Sequence, residues 1–240
     1  MTTVSPSLLA RFTPHRWVDA SGGALPYRLL QPAGPGPWPL VLLLHGAGER
    51  GDDNTAQLEN GAGAWLGVEE AQAAHPCIYV LPQCPQSARW VEVDWGAAAH
   101  VLPAQPSQPM GVLLSLIDHL LSDLPVDPDR VYVAGLSMGG YGTWDLLCRA
   151  PDRFAAAVAI CGGGDPAQAS RLAHIPIWAF HGAQDPVVAV ARSRQMVDAL
   201  RAAGGSVRYP EWADVSHDAW VRAFAHPELR GWLFQQARSR

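Results

Sequence analysis

The chain has few cysteines, and their spacing does not suit a metal site. The four cysteines form no CxxC pair and no Cys/His cluster with the spacing of zinc ligands. Reduced thiols in or near the core are therefore expected, although the separation between Cys77 and Cys84 would also permit a bridge. The full set is Cys77, Cys84, Cys148 and Cys161.

Charged residues are also scarce, at 16% of 240 residues, and basic residues form no run of five or more. This scarcity argues against a nucleic-acid partner. The longest apolar run, residues 39–44, is far too short to cross a bilayer. The start of the chain also lacks a cationic segment followed by a long apolar one. These absences predict a cytoplasmic protein with no membrane partner.

Apolar residues, at 48% of the chain, are sufficient for a sizeable core, and their pattern alternates between strands and helices. We predict one α/β domain over residues 1–240, with a mostly parallel central sheet, helices on both faces and no large lid domain. Strands are expected at residues 26–31, 40–44, 77–81, 131–134, 155–160 and 175–180, with a weaker one at 207–212. Helices are expected at residues 108–122, 141–149, 188–203 and 228–237.

Residues 82–109 fit neither pattern. This stretch contains five prolines and has no clear hydrophobic period. Irregular segments of this length are uncommon in compact domains and are often functional. We therefore predict a long irregular loop near the edge of the sheet that carries the active site.

The strongest motif is Gly135-Leu136-Ser137-Met138-Gly139, a GxSxG sequence between a predicted strand and a predicted helix. This context is typical of a nucleophile elbow, in which a sharp turn projects the serine from the carboxyl edge of a sheet. Glycine fits at positions 135 and 139 because the backbone is crowded on both sides of the serine. We predict Ser137 as a catalytic nucleophile.

A serine nucleophile needs a base and a carboxylate that orients the base. In folds that carry a nucleophile elbow these follow the serine in the order acid, then histidine. Asp185 comes directly after the predicted strand at 175–180 and is the favoured acid. Asp165, after the preceding strand, is its rival and is interpreted as a helix cap. Asp185 could also be a turn residue before Pro186.

Two histidines, His217 and His226, follow the predicted acid. His217 lies in a loop after the last predicted strand and is the favoured base, because a loop can place it over the serine. His226 precedes a proline and is the alternative. His45 and His181 each precede a glycine at the end of a strand and are interpreted as structural residues or residues at the edge of the site.

Acyl transfer places negative charge on the carbonyl oxygen, which backbone N–H groups can stabilise. One donor is expected from the residue after the nucleophile, Met138. The second is expected from the loop that follows strand 40–44, at Ala47, where the flanking Gly46 and Gly48 allow close approach to a substrate. This chemistry requires no metal and no cofactor.

The segments LLLHGAGERGDDN, GLSMGGYGTWDL, FHGAQDPVV and SHDAW together resemble bacterial α/β-hydrolases described as peptidases or carboxylesterases. The related groups are the dienelactone hydrolases, the phospholipase/carboxylesterases and the catalytic domains of prolyl oligopeptidases. The resemblance covers residues 25–235 and implies an α/β-hydrolase fold with the same five site residues. Dienelactone hydrolases use a cysteine nucleophile, so the serine at position 137 argues against that specific reaction.

We predict a serine carboxylesterase that acts on small soluble esters, aromatic ones among them. Trp90, Trp95 and Trp144 are candidates for the substrate pocket, although each could instead pack in the core. A peptidase or amidase that uses the same triad is one alternative. A binding protein that has the hydrolase fold but no activity is another, and the complete triad counts against it.

Overall fold

A mostly parallel sheet forms the centre of the computed structural model, which describes residues 4–238. The predicted domain of residues 1–240 therefore includes five residues that lie outside the described range. The strands are β1 (Thr13–Val18), β2 (Ala24–Leu30), β3 (Trp38–Leu44), β4 (Ile78–Pro82), β5 (Val126–Leu136), β6 (Ala156–Ile160), β7 (Ile177–Gly182), β8 (Val207–Arg208) and β9 (Glu211–Trp212).

The strand order is β1-β2-β4-β3-β5-β6-β7-β8, and β9 also pairs with β7. Strand β2 runs antiparallel to both β1 and β4, whereas the pairs from β4 to β9 are parallel. Parallel strands need crossover connections, which the helices provide. The carboxyl ends of β3, β5, β6 and β7 therefore meet at one edge, where the candidate site is built.

Nine α-helices surround the sheet within residues 4–238. They are α1 (Pro6–Leu9), α2 (Ala62–Gly67), α3 (Glu69–Ala74), α4 (Gln108–Asp123), α5 (Met138–Arg149), α6 (Ala169–Leu172), α7 (Ala191–Ala202), α8 (Ala219–Phe224) and α9 (Leu229–Phe234). None of these helices is long and apolar enough to cross a lipid bilayer. Residues 83–107 form neither helix nor strand.

Both faces of the sheet are buried, which explains why β3 reads as an unbroken apolar run. Leu40, Leu42 and Leu44 pack in the core on the side of α4, α5 and α7. Val41 and Leu43 point the other way and pack with residues of α2, α8 and α9. Alternating side chains of one strand thus enter two cores. The predicted α/β class, with helices on both faces, is confirmed.

Several element boundaries differ from the sequence-based expectation. The sequence pattern missed β1, because this edge strand is almost wholly exposed and shows no apolar alternation. The weak strand expected at 207–212 is two short strands, β8 and β9, on either side of Pro210. Proline has no N–H group to donate to a neighbouring strand, so pairing is interrupted there.

All four cysteines are free and buried, so the bridge between Cys77 and Cys84 that their separation would have permitted is absent. Burial raises the pKa of the Cys77 and Cys84 thiols to about 12. Buried thiols of this kind behave as small apolar core residues.

Candidate active site

Ser137 lies at a sharp turn between β5 and α5. Its backbone has φ 52° and ψ −117°, a conformation that costs a non-glycine residue free energy. The turn is tight, because a Cβ atom at Gly135 would lie 2.1 Å from the carbonyl oxygen of Gly139. A Cβ atom at Gly139 would lie 1.9 Å from the carbonyl oxygen of Leu44. Glycine is therefore required at both positions of the motif.

Ser137 lies within hydrogen-bond distance of His217, and His217 of Asp185. The Ser137 Oγ atom is 2.9 Å from His217 Nε2, and His217 Nδ1 is 2.7 Å from Asp185 Oδ2. The Asp185 side chain is fully buried, whereas that of His217 is 20% exposed. The three predicted residues thus lie in line, although they come from three separate segments that follow β5, β7 and β9. This geometry allows a proton to pass from the hydroxyl to the imidazole.

Asp185 directly follows β7, and its loop holds the carboxylate in a fixed orientation. Its Oδ1 atom accepts hydrogen bonds from the N–H groups of Val187 at 2.8 Å and Val188 at 2.9 Å. The helix expected from residue 188 begins instead at Ala191. Burial alone would raise the pKa of Asp185, but hydrogen bonds from His181, His217 and the two N–H groups lower it well below its usual value. The group is therefore an anion at neutral pH.

A second histidine contacts the same carboxylate. His181 lies within β7, its side chain is fully buried, and its Nε2 atom is 3.2 Å from Asp185 Oδ2. The sequence-based interpretation left His181 as a structural residue or one at the edge of the site. Its position four residues before Asp185, at the carboxyl end of the same strand, was the signal that could have identified it.

Ala47 and Met138, the predicted oxyanion-hole residues, both line the cavity that contains Ser137. Met138 is the first residue of α5, so its N–H group has no acceptor within the helix. Ala47 begins a 3₁₀ turn, Ala47–Glu49, directly after Gly46. Both N–H groups therefore belong to the starts of helical turns on either side of the serine.

The cavity at Ser137 has a volume of about 330 Å³ and is mostly apolar. Trp95, Tyr141 and Trp220 provide its aromatic surface. The Arg89 guanidinium stacks on Trp95, and the Tyr141 hydroxyl donates to the Trp95 carbonyl at 3.3 Å. The Trp220 ring is 5.3 Å from the His217 ring in an edge-to-face arrangement. The sequence analysis missed Trp220, although it stands three residues after His217.

Trp90 and Trp144, the other two candidates for the substrate pocket, lie in the core instead. Both are fully buried and neither lines the cavity at Ser137. Trp90 donates from its indole N–H group to the carbonyl of His45 at 3.2 Å, behind the loop that carries Ala47. The aromatic content of a region does not reveal which side of the loop each ring faces, and this is why the sequence could not separate them from Trp95.

Glu49 is a buried carboxylate in the wall of the cavity. Its Oε1 atom accepts a hydrogen bond from the Asn60 amide at 2.5 Å, and its Oε2 atom is 4.0 Å from His45 Nδ1. Burial raises the pKa of Glu49, and hydrogen bonds from the Gly46 N–H group and the Asn60 amide offset only part of this rise. Burial also lowers the pKa of His45 to about 4, so that this histidine is neutral at physiological pH. Glu49 thus ties the loop that contains Ala47 to Asn60.

Asp165 and His226, the alternative candidates for the acid and the base, have other roles. The Asp165 carboxylate accepts from the N–H group of Ala167 at 3.0 Å, as a cap on a 3₁₀ turn, and from that of Leu102 at 2.9 Å. His226 packs edge-to-face on Trp178, and its Nδ1 atom accepts from the N–H group of Glu228. Neither residue lines the cavity at Ser137.

Cys161, Asp185 and His217 offer ligand atoms that lie within 4.8 Å of one another, close enough in principle to hold a metal ion. Burial raises the pKa of the Cys161 thiol, which opposes formation of the thiolate that binds metals. Asp185 and His217 are already joined to each other by a hydrogen bond. The donor set therefore fits a triad better than a metal centre.

A family model described as phospholipase/carboxylesterase matches residues 31–227 of the chain. The chain is similar to NocK, assigned as an esterase, from Nocardia uniformis subsp. tsuyamanensis, at 30% identity over 183 residues that cover 73% of this chain and 49% of NocK. It is also similar to poly(3-hydroxybutyrate) depolymerase of Ralstonia pickettii, at 33% identity over 151 residues that cover 61% of this chain and 30% of the depolymerase. The chain thus spans about a third to a half of the length of these relatives.

Solved structures give the same picture of the fold. The chain superimposes on a thermostable esterase with a TM-score of 0.89 and 38% identity, over 97% of this chain and 64% of that one. It also superimposes on a ferulic acid esterase with a TM-score of 0.69, over 93% of this chain and 98% of that one. Identity to the second is 17%, so this likeness shows the fold alone.

Proposed function

The chain belongs to the phospholipase/carboxylesterase family of α/β-hydrolases, and from this premise we propose that it is a serine carboxylesterase for small soluble esters, aromatic ones among them. The observation that carries the proposal is the 2.9 Å contact between Ser137 Oγ and His217 Nε2, with Asp185 in line behind the imidazole. The similarity to proteins described as esterases supports the same reaction class.

In the proposed acylation step, Ser137 Oγ attacks the ester carbonyl carbon while His217 Nε2 takes the hydroxyl proton. The N–H groups of Ala47 and Met138 would hold the oxyanion of the tetrahedral intermediate. Collapse of the intermediate breaks the bond to the alcohol, which receives the proton from His217. The product of this half-reaction is an acyl ester on Ser137.

In the proposed deacylation step, a water molecule replaces the alcohol and gives its proton to His217 as it attacks the acyl carbonyl. Collapse of the second tetrahedral intermediate breaks the bond to Ser137 Oγ and releases the carboxylic acid, while His217 gives its proton to Ser137 Oγ. Asp185 orients the imidazole and stabilises its cationic form throughout both steps. The buried, hydrogen-bonded carboxylate described above suits this role, and no cofactor is needed.

The size and lining of the cavity support small or aromatic acyl groups. Its volume of about 330 Å³ is at the low end of the range for ligand sites. Trp95, Tyr141 and Trp220 offer flat apolar surface on which an aryl group could pack. The similarity to a polyester depolymerase adds short hydroxyacid esters to the substrates that merit testing.

Hydrolysis of p-nitrophenyl esters from acetate to decanoate, by the wild type and Ser137→Ala side by side, tests the proposal. We expect serine-dependent turnover with a preference for short or aromatic acyl groups. The corresponding p-nitroanilides distinguish an esterase from an amidase with the same triad. The proposal would be rejected if no ester were hydrolysed, or if Ser137→Ala retained the wild-type rate.

A further inference from the structure

We propose that His181 is a positioning residue. Its Nε2–H group fixes the orientation of the Asp185 carboxylate and reduces the negative charge that the carboxylate presents to His217 Nδ1. The inference rests on the proposed function, because it assigns a role within the same Ser-His-Asp site. It rests on the fully buried contact between His181 Nε2 and Asp185 Oδ2, at 3.2 Å.

The protonation of His181 Nε2 follows from the atoms that face it. Asp185 Oδ2 lies at 3.2 Å and the Val188 carbonyl oxygen at 3.0 Å, and both can only accept hydrogen bonds. A lone pair on Nε2 would therefore face two other lone pairs in a buried site. Nε2 carries a proton, which it donates to these two oxygens.

The other ring nitrogen is fixed by a hydroxyl group that suits it in any protonation state. His181 Nδ1 is 2.7 Å from Ser193 Oγ, and Ser193 Oγ is 3.1 Å from the carbonyl oxygen of Gly162. A hydroxyl has one proton, so Ser193 either donates it to His181 Nδ1, or donates it to the Gly162 carbonyl oxygen while its lone pair accepts from an N–H group at Nδ1. The ring is therefore held from both sides, between α7 and the loop after β7, and cannot rotate away from Asp185 without loss of these bonds.

The consequence for Asp185 is a fully occupied carboxylate. Its Oδ1 atom accepts from two backbone N–H groups, and its Oδ2 atom accepts from His181 and His217. An ionised carboxylate offers about four lone-pair sites, so all of them are used. Removing the His181 donor would leave Oδ2 with more charge and with His217 as its one remaining side-chain partner.

Extra charge on Oδ2 would stabilise the protonated form of His217, because the hydrogen bond from His181 otherwise delocalises part of the carboxylate charge. A base that stays protonated to higher pH cannot accept a proton from the serine, so the enzyme is inactive over a wider range of pH. Loss of the donor would also let the carboxylate turn. Other titratable groups near this contact are Glu211, which interacts with His181, and Cys161 and Tyr141, which interact with Asp185.

The test is the pH profile of kcat/KM for a short p-nitrophenyl ester in three variants. His181→Leu removes the donor, His181→Gln keeps an N–H group near the Nε2 position, and Leu200→Ala is a buried control in α7 away from the triad. We expect His181→Leu to move the acid limb upward by roughly 0.5 to 1 pH unit and to lower kcat/KM about tenfold or more. His181→Gln should recover most of both effects.

Leu200→Ala should lower the melting temperature without moving the acid limb, because it alters packing alone. If His181→Leu does not fold, His181→Gln and Ser193→Ala carry the test, and Ser193→Ala should shift the limb in the same direction by a smaller amount. An acid limb in His181→Leu that matches that of Leu200→Ala would overturn the proposal, and so would an unshifted limb in Ser193→Ala where His181→Leu does not fold. Retained turnover in Ser137→Ala would instead overturn the proposed function itself.

Discussion

Ser137 and His217 are 80 positions apart in the chain, yet their Oγ and Nε2 atoms lie 2.9 Å from each other. The contact joins a turn that follows the central strand β5 to a loop that follows β9 near the sheet edge. It exists because parallel strands end at one edge of the sheet. The proposed chemistry therefore depends on the fold rather than on any local cluster of reactive residues.

Substitution of Asp185 by asparagine should remove most activity while the serine stays in place. An asparagine amide at this position could not orient His217 in the required tautomer, and a comparable change in a protease lowers kcat about 10⁴-fold. Steady-state kinetics with a p-nitrophenyl ester measure the loss. Asp165→Asn is the matched control, since Asp165 caps a 3₁₀ turn outside the cavity, and its kcat should stay within a few-fold of the wild type.

Asp185 also predicts a pH dependence of stability. Its pKa in the folded protein lies below its ordinary value of 3.8. The ionised group therefore stabilises the fold fully above the unfolded pKa, and this contribution is lost as pH falls toward the folded pKa. Between about pH 4 and pH 2 the free energy of unfolding of the wild type should fall more steeply than that of Asp185→Asn. Urea titrations across this range would show parallel curves if the carboxylate had no such role.

The tryptophans should separate into two classes by experiment. Trp95→Ala should raise KM for aryl or longer acyl esters and leave stability nearly unchanged, because the ring lines the cavity. Trp90→Ala should instead lower the free energy of unfolding by about 3–5 kcal/mol, because its ring is fully buried. KM across the ester series and denaturant melts measure the two effects. Equal effects of both substitutions on KM would contradict the assignment.

The nucleophile turn should be intolerant of a side chain at Gly135. Alanine there would place a methyl group 2.1 Å from the Gly139 carbonyl oxygen and 2.5 Å from Thr143 Oγ1. We expect a loss of stability of about 1–3 kcal/mol or more, together with displacement of Ser137 and a large fall in kcat. Gly231→Ala is the control, because nothing lies within 4 Å of the position of its Cβ atom. That variant should keep full activity.

Glu49→Ala should lower kcat more than it raises KM. The Glu49 carboxylate ties the loop that carries Ala47 to Asn60, at 2.5 Å, so its loss would leave the proposed oxyanion donor less well placed. Removal of one such donor costs about 10²–10³ in kcat in a protease, and a loosened donor should cost less. Asn60→Ala should act in the same direction. A change confined to KM would indicate a role in substrate binding instead.

Local sequence signals predicted much of this arrangement. The GxSxG motif between an apolar strand and a helix identified the turn at Ser137, because few other contexts need glycine two residues on each side of a serine. Asp185 and His217 were found from chain order and from their positions after strands. These signals are local in the sequence, and the sheet then brings the three residues to one edge.

The remaining features depend on tertiary contacts that no local pattern encodes. Trp95 and Trp90 stand five residues apart in the same irregular segment, yet one lines the cavity and the other is buried in the core. His181 reads as a strand-end histidine like His45; its spacing of four residues from Asp185 is compatible with a contact, but the path of the loop after β7 decides whether the contact forms. The exposed edge strand β1 gave no apolar alternation to detect.

The most direct test of the central claim is to trap the acyl-enzyme. The protein is mixed with p-nitrophenyl acetate, quenched in acid within the first turnover, digested and analysed by mass spectrometry. The account predicts one acetyl group on the peptide that contains Ser137, a matching burst of p-nitrophenol, and neither signal in Ser137→Ala. Ester turnover with no acylated Ser137, or with the acyl group on another residue, would contradict it.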